Sequence, residues 1–128
     1  MPRISYAFFS LAALCGLVGM MWGIHMGATQ DFTAHPAHAH LNLVGWVSLA
    51  VMGGFYAMDR TAPQKLGWVN FWLSALGAIV LPLGIFLIAT GHEAQGGPAA
   101  IFGGSAAFLG MLTFVVVVLG GWRRSGRA

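Results

Sequence analysis

The chain has 128 residues, enough for one domain, and its composition excludes an ordinary soluble fold. Hydrophobic residues make up 58% of it and charged residues only 7%, whereas a soluble domain carries roughly 25% charged residues. The net charge of +3 does not indicate a nucleic-acid-binding protein, because the cations follow the pattern expected of membrane loops.

Four apolar stretches are each long enough to cross a bilayer, which takes about 20 residues of helix. They cover residues 5–27, 38–58, 66–90 and 98–122. We predict helices, because backbone polar groups in lipid must be satisfied within the segment and no stretch alternates as a barrel strand does. The short connections predict antiparallel neighbours. The expected fold is therefore all-α: a single transmembrane domain over residues 1–128, built as a four-helix up-down bundle.

The first stretch follows Arg3 and contains Cys15, two features shared with signal sequences, but we expect it to be an uncleaved anchor. Leu14 is too large for the position before a cleavage site, and the apolar run continues well beyond it. The single cysteine excludes an intrachain disulfide, and no Cys-x-x-Cys-His sequence is present, so covalent c-type haem is not expected.

All six cationic side chains fall at one side of the predicted bundle. Arg3 precedes the first span, and Arg60 and Lys65 lie between the second and third spans. Those after the fourth span are Arg123, Arg124 and Arg127. The positive-inside rule places this side in the cytoplasm, with both termini, and residues 28–37 and 91–97 outside. We therefore expect an integral protein of a bacterial inner (cytoplasmic) membrane.

Small residues recur along three of the predicted helices at short, regular spacings. They are Gly19, Gly23 and Gly27; Gly77, Gly84 and Gly91; and Gly103, Ala107 and Gly110. In membrane helices such seams favour close helix contact, and the alternative is that they leave space for a flat cofactor. Pro82 is expected to kink the third helix. The seams, on a bundle with little lateral surface, also predict a homo-oligomer.

All five histidines are predicted at the outer end of the bundle, at nearly the same depth. They are His25, His35, His38, His40 and His92. Ionisable residues within membrane spans are costly and usually functional, and a neutral imidazole binds metal without a buried counter-charge. We expect at least two of them to ligate metal or haem. The alternative is that they only hydrogen-bond to water and headgroups.

Helix geometry separates the histidines of the second span. Pro36 suits a first helical turn, which makes His35 a cap residue. His38 shares a face with Asn42, whereas His40, two residues after His38, points about 200° away from it. The sequence therefore predicts that His38 and His40 do not bind one ion together.

The run His40-Leu41-Asn42-Leu43-Val44-Gly45-Trp46, with Gly53-Gly54-Phe55-Tyr56 after it, resembles the second helix of haem–copper oxidase catalytic subunits. The resemblance is to the nitric-oxide reductase and cbb-type branches and their small membrane relatives, and it covers the first two spans. In those proteins a His at the start of this helix ligates the low-spin haem b, and the matching position is His40. The family's later helices, which supply the other haem and copper ligands, have no counterpart here. A complete oxygen- or nitric-oxide-reducing site in this chain is therefore not expected.

The resemblance implies a haem b-binding protein for electron transfer or for redox or gas sensing, with His40 as one axial ligand. We prefer His92 as the second ligand and keep His25 as the alternative, since both are predicted at the depth of His40. Gly45 and Gly84 are expected to leave room for the haem between the second and third helices.

Two other functions fit the same residues. A copper or zinc site made by His25, His38, His40 and His92 is one, because imidazole suits either metal. A structural or assembly subunit without a cofactor is the other. The sequence does not specify a redox partner.

Overall fold

The computed structural model describes residues 1–126, which are helical almost throughout. Its four long helices are α1 (Arg3–Thr29), α2 (His35–Met58), α3 (Gln64–Ala89) and α4 (Glu93–Ser125). Each is long and apolar enough to cross a membrane, and the described residues contain no strand. The all-α class is therefore confirmed, with four helices that could span a membrane. Arg127, one of the predicted cytoplasmic cations, lies outside the described residues.

All four helices begin earlier than the apolar stretches predict, and the differences are largest for the second and fourth helices. The predicted start of the second helix is three residues late, because Pro36 lies in its first turn, where a missing N–H costs no hydrogen bond. His35 is thus the first helical residue, and Ala34 takes the predicted role of His35 as the cap. The fourth helix begins at Glu93 and continues through Pro98, which was expected to open it.

The second helix is not regular. A π-helical segment of 7 residues, Leu41–Val47, follows His40 directly and separates two α-helical segments. Ser48 donates both its backbone N–H and its hydroxyl, the latter at 2.8 Å, to the carbonyl of Leu43, five residues earlier. π-helical segments are rare in proteins, and those that occur are often found at functional sites. The position of this one directly after His40 therefore makes His40 a candidate functional residue.

The closest helix pair is formed by α3 and α4, and glycine makes that contact possible. Gly77 lies against Ala107, and Gly84, seven residues later in α3, lies against Ala100, seven residues earlier in α4. These two helices therefore run in opposite directions. A Cβ added to Gly77 would lie 2.6 Å from the backbone nitrogen of Ala107, a distance that real Cβ atoms essentially never show. The backbones touch, as small-residue seams in membrane helices allow.

The space expected for a cofactor beside Gly45 and Gly84 is not there. A Cβ on Gly45 would lie 2.9 Å from the sulfur of Cys15 in α1, so Gly45 faces α1 rather than α3. Gly84 faces α4, where it meets the backbone of Ala100. This part of the prediction is wrong because both glycines bring helices together. Pro82 is buried within α3, which continues through it, and the kink stays a prediction.

A hydrogen-bond network ties α2 to α3 inside the bundle. The buried amide of Asn70 lies 3.1 Å from the Tyr56 hydroxyl and 3.0 Å from the Ser74 hydroxyl. Ser74 also lies 3.5 Å from the sulfur of Met52. The amide nitrogen of Asn70 donates to the Tyr56 hydroxyl, and the Ser74 hydroxyl donates to the amide oxygen. A satisfied polar network in an apolar interior specifies which helix faces are paired.

At the opposite end from the histidines, Asp59 connects the loop after α2 to α4. Its carboxylate lies 3.1 Å from the guanidinium of Arg124 and accepts the hydroxyl and the backbone N–H of Thr61. The Thr61 hydroxyl, and then the Thr61 N–H and Arg124, hold the pKa of Asp59 below its ordinary value. Gly121 leaves room for this pair, since a Cβ there would lie 2.9 Å from a carboxylate oxygen.

We expect Gly84→Leu to destabilise the protein by about 1–3 kcal/mol or more, because its side chain would have to enter the backbone of α4. The matched control is Gly97→Leu, a helical position where an added Cβ meets nothing within 4 Å. Thermal unfolding followed by circular dichroism in one detergent measures both. Equal stability of the two variants would contradict the close packing of α3 and α4.

Candidate functional site

The structure brings the loop between α1 and α2 and the loop between α3 and α4 together at one end. A cavity of about 320 Å³ there is lined by residues of α1, of the following loop and of the end of α3. All five histidines lie at this end, as predicted, because each is in or next to one of these loops. We call it the histidine end, defined by His25, His35, His38, His40 and His92. The Lys and Arg residues that the structure describes lie at the other end.

The ring of His40 is held by its own helix. Its Nδ1 lies 2.8 Å from the carbonyl oxygen of Pro36, one turn earlier. A carbonyl oxygen can only accept, so Nδ1 carries the hydrogen and Nε2 of the neutral ring keeps a free lone pair. Metal-ligating histidines have this arrangement: one ring nitrogen donates to a backbone carbonyl or carboxylate, and the other binds the metal.

The ring of His92, like that of His40, has a hydrogen-bond partner at Nδ1. It occupies the N-cap position of α4, and its Nδ1 lies 3.3 Å from the hydroxyl oxygen of Thr90. Thr90 lies within hydrogen-bonding distance of the carbonyl of Phe86, at 2.9 Å, and when it donates there its oxygen accepts from His92. With this assignment Nδ1 of His92 carries the hydrogen and Nε2 is free. Gly91, with φ of 86°, allows the chain reversal that positions His92.

His38 faces α1, in a different environment from His40. Its Cε1 atom would lie 3.2 Å from a Cβ on Gly23, and its ring is edge-on to that of Trp22, with centroids 6.5 Å apart. The amide nitrogen of Asn42 lies 3.4 Å from both ring nitrogens, so this contact does not distinguish the two tautomers. No hydrogen bond fixes the tautomer of His38. That His38 and His40 do not bind one ion together stays a prediction.

The remaining two histidines have exposed side chains. His25 lines the cavity at the histidine end together with Asp31, Thr33 and Thr90. His35 uses its backbone N–H, which donates to the carbonyl of Phe32 at 3.0 Å. Within residues 1–126, no hydrogen bond engages the ring nitrogens of either histidine, so neither ring is held as those of His40 and His92 are.

Metal-binding side chains do not converge in groups of three or more anywhere in the described part of the chain. A structural zinc site takes four ligands, and a catalytic site takes three from the protein. The proposed copper or zinc set of His25, His38, His40 and His92 is thus not assembled within one copy of this structure.

The donor chemistry of His40 and His92 fits the axial ligands of a haem iron. The first α-helical segment of α2, His35–His40, packs directly against α3. His40 lines neither the cavity at the histidine end nor the neighbouring apolar groove between α1, α2 and α3.

Sequence reasoning missed the role of Asp31. Its carboxylate accepts the backbone N–H of Thr33 at 3.0 Å and the Thr33 hydroxyl at 2.6 Å, which fixes the loop beside His25. Asp and Thr two residues apart in a short loop are a signal for such a turn and could have identified this carboxylate. The anchoring of the His40 and His92 rings was missed too, and no residue spacing alone indicates it.

Comparison of the chain with protein-family models, with curated proteins and with solved structures finds no match, so the resemblance to the oxidase helix is carried by the residues alone.

Proposed function

We propose that the chain is a haem b-binding protein of the bacterial inner membrane that serves electron transfer or redox or gas sensing. The observation that carries this proposal is the ring of His40, which donates from Nδ1 to the Pro36 carbonyl at 2.8 Å and leaves Nε2 free, directly before a π-helical segment. The resemblance of the same helix to the haem-ligating helix of haem–copper oxidases supports it. Haem b held by two imidazoles supplies one-electron redox chemistry.

The proposed axial ligands are His40 and His92, with His25 as the alternative to His92. His40 and His92 are the pair whose hydrogen bonds leave Nε2 free. Since His40 lines no described cavity of the single bundle, we propose that copies of the chain associate around the haem as a homo-oligomer. A mass measurement in mild detergent that finds only monomer would contradict this association.

The same free Nε2 atoms could instead hold copper or zinc between copies. Metal analysis separates this alternative from haem, because it would find copper or zinc at a fixed ratio to protein without porphyrin. A cofactor-free structural subunit would contain neither.

We further propose an up-down bundle with both termini in the cytoplasm. The segregation of Lys and Arg away from the histidine end supports this orientation. The histidines would then lie on the outer side.

For the orientation, we expect a fluorescent protein fused after Ala128 to be active and alkaline phosphatase fused at the same position to be inactive. The first folds in the cytoplasm and the second needs the periplasm. The matched control places both reporters in the loop after Gln30. Phosphatase activity only from the C-terminal fusion would contradict the proposed orientation.

For the first ligand, we expect His40→Ala to lose bound haem, measured by visible absorbance with and without dithionite and by iron content. His35→Ala is the control, because His35 lies two turns or less from His40 in the same helix and its ring makes no hydrogen bond in the described structure. It should keep the wild-type spectrum. Loss of haem in His35→Ala with retention in His40→Ala would overturn the assignment.

For the second ligand, we expect His92→Ala to lose the spectrum of a six-coordinate haem and His25→Ala to keep it. The reason is that Thr90 holds His92 with Nε2 free, whereas the described structure gives His25 no ring partner. Retention in His92→Ala with loss in His25→Ala would reverse the assignment. Retention in both variants would remove both residues from the iron.

A further inference from the structure

Two cavities adjoin at the histidine end and form one amphipathic groove. The upper cavity, about 320 Å³, contains His25, Asp31 and Thr90, and the lower cavity, about 420 Å³, is lined by apolar side chains of α1, α2 and α3. Trp22 and Phe86 line both, with ring centroids 5.6 Å apart. The groove therefore passes from a polar mouth at the end of the bundle to an apolar channel along the helices.

The apolar part has the length of one leaflet. Its lining on α1 runs from Leu11 to Trp22, which at 1.5 Å per residue is about 16 Å. The hydrocarbon core of a bilayer is about 30 Å thick, so this is about half of it. Leu14 is 58% exposed and Leu83 is 53% exposed, so the groove is open sideways, where the bilayer would lie. These dimensions fit one acyl chain that runs from the headgroup level to the midplane.

The polar part carries a fixed negative charge. One oxygen of the Asp31 carboxylate accepts the hydroxyl and the N–H of Thr33, and these two hydrogen bonds hold the pKa of Asp31 below its ordinary value. The other oxygen has no hydrogen-bond partner in the described structure and is free to accept from a ligand. No Lys or Arg that the structure describes lies at this end to neutralise it. The mouth of the groove thus favours a cation that can donate hydrogen bonds.

We propose that this groove binds a bilayer phospholipid whose headgroup carries a primary ammonium, with one acyl chain along α1 and α3 and the ammonium at Asp31. The headgroup of phosphatidylethanolamine meets this description. Phosphatidylcholine has the positive charge but no N–H to donate, and phosphatidylglycerol has no cation. The bound lipid would cover the apolar face between α1 and α3 whether or not the protein binds haem.

The test uses fluorescence of Trp22, which borders both cavities. Wild-type protein and Trp22→Phe are placed in phosphatidylcholine vesicles that contain small, increasing fractions of brominated phosphatidylethanolamine, phosphatidylcholine or phosphatidylglycerol. The difference between the two proteins gives the quenching of Trp22. We expect brominated phosphatidylethanolamine to reach half-maximal quenching at a mole fraction about threefold lower than the other two lipids, a factor in the range of an exposed ion pair. Equal quenching by all three lipids would overturn the proposal.

Two variants distinguish an effect of the Asp31 carboxylate from an effect of the overall negative charge at the histidine end. Asp31→Asn should abolish the preference, while Glu93→Gln, which removes the first acidic residue of α4 and does not line the cavity, should keep it. Soluble glycerophosphoethanolamine, which lacks acyl chains, should not compete. Persistence of the preference in Asp31→Asn, or competition by the soluble headgroup at a similar concentration, would show that the groove does not act as proposed.

Discussion

The close approach of helices at glycine is the contact on which the arrangement of this protein depends. Lipid tails are as apolar as leucine, so helices in a bilayer gain little by hiding apolar surface and associate through van der Waals contact instead. In α3 and α4 the backbones meet at Gly77 and Gly84. In α1, Gly19 and Gly23 accept the side chains of Asn42 and His38, so this face of α2 is turned towards α1.

The histidine end shows how polar side chains behave when the surroundings supply few partners. His40 donates to the carbonyl of Pro36 in its own helix, and His92 donates to Thr90 two residues before it. Both contacts are local, so they form with the helices themselves and need no bound cofactor. Each leaves one imidazole nitrogen with a free lone pair, which is the state that a metal requires of its ligand. The π-helical segment after His40 places the only irregular stretch of the described spans at this same level.

The four helices, their all-α class and the gathering of five histidines at one end followed from apolar length and loop position, because the bilayer leaves few alternatives. The predicted start of α2 was three residues late, because the apolar stretch begins after Pro36, which lies in the first turn of the helix. Residue spacing does not tell which neighbouring helix Gly45 and Gly84 would contact. The prediction that they leave room for a haem was wrong for this reason. The hydrogen bond of His40 depends on the side-chain rotamer of its ring, which residue spacing does not predict.

Nitrogen-15 NMR of histidine-labelled protein without added cofactor tests the central claim most directly, because it reports which ring nitrogen carries hydrogen at each histidine. At a pH where the rings are neutral, the hydrogen bonds predict hydrogen on Nδ1 and a free Nε2 at His40 and His92. The signals are assigned by His40→Ala and His92→Ala. Hydrogen on Nε2 of His40 would contradict the account, because that nitrogen would then have no lone pair to give to iron or to any other metal.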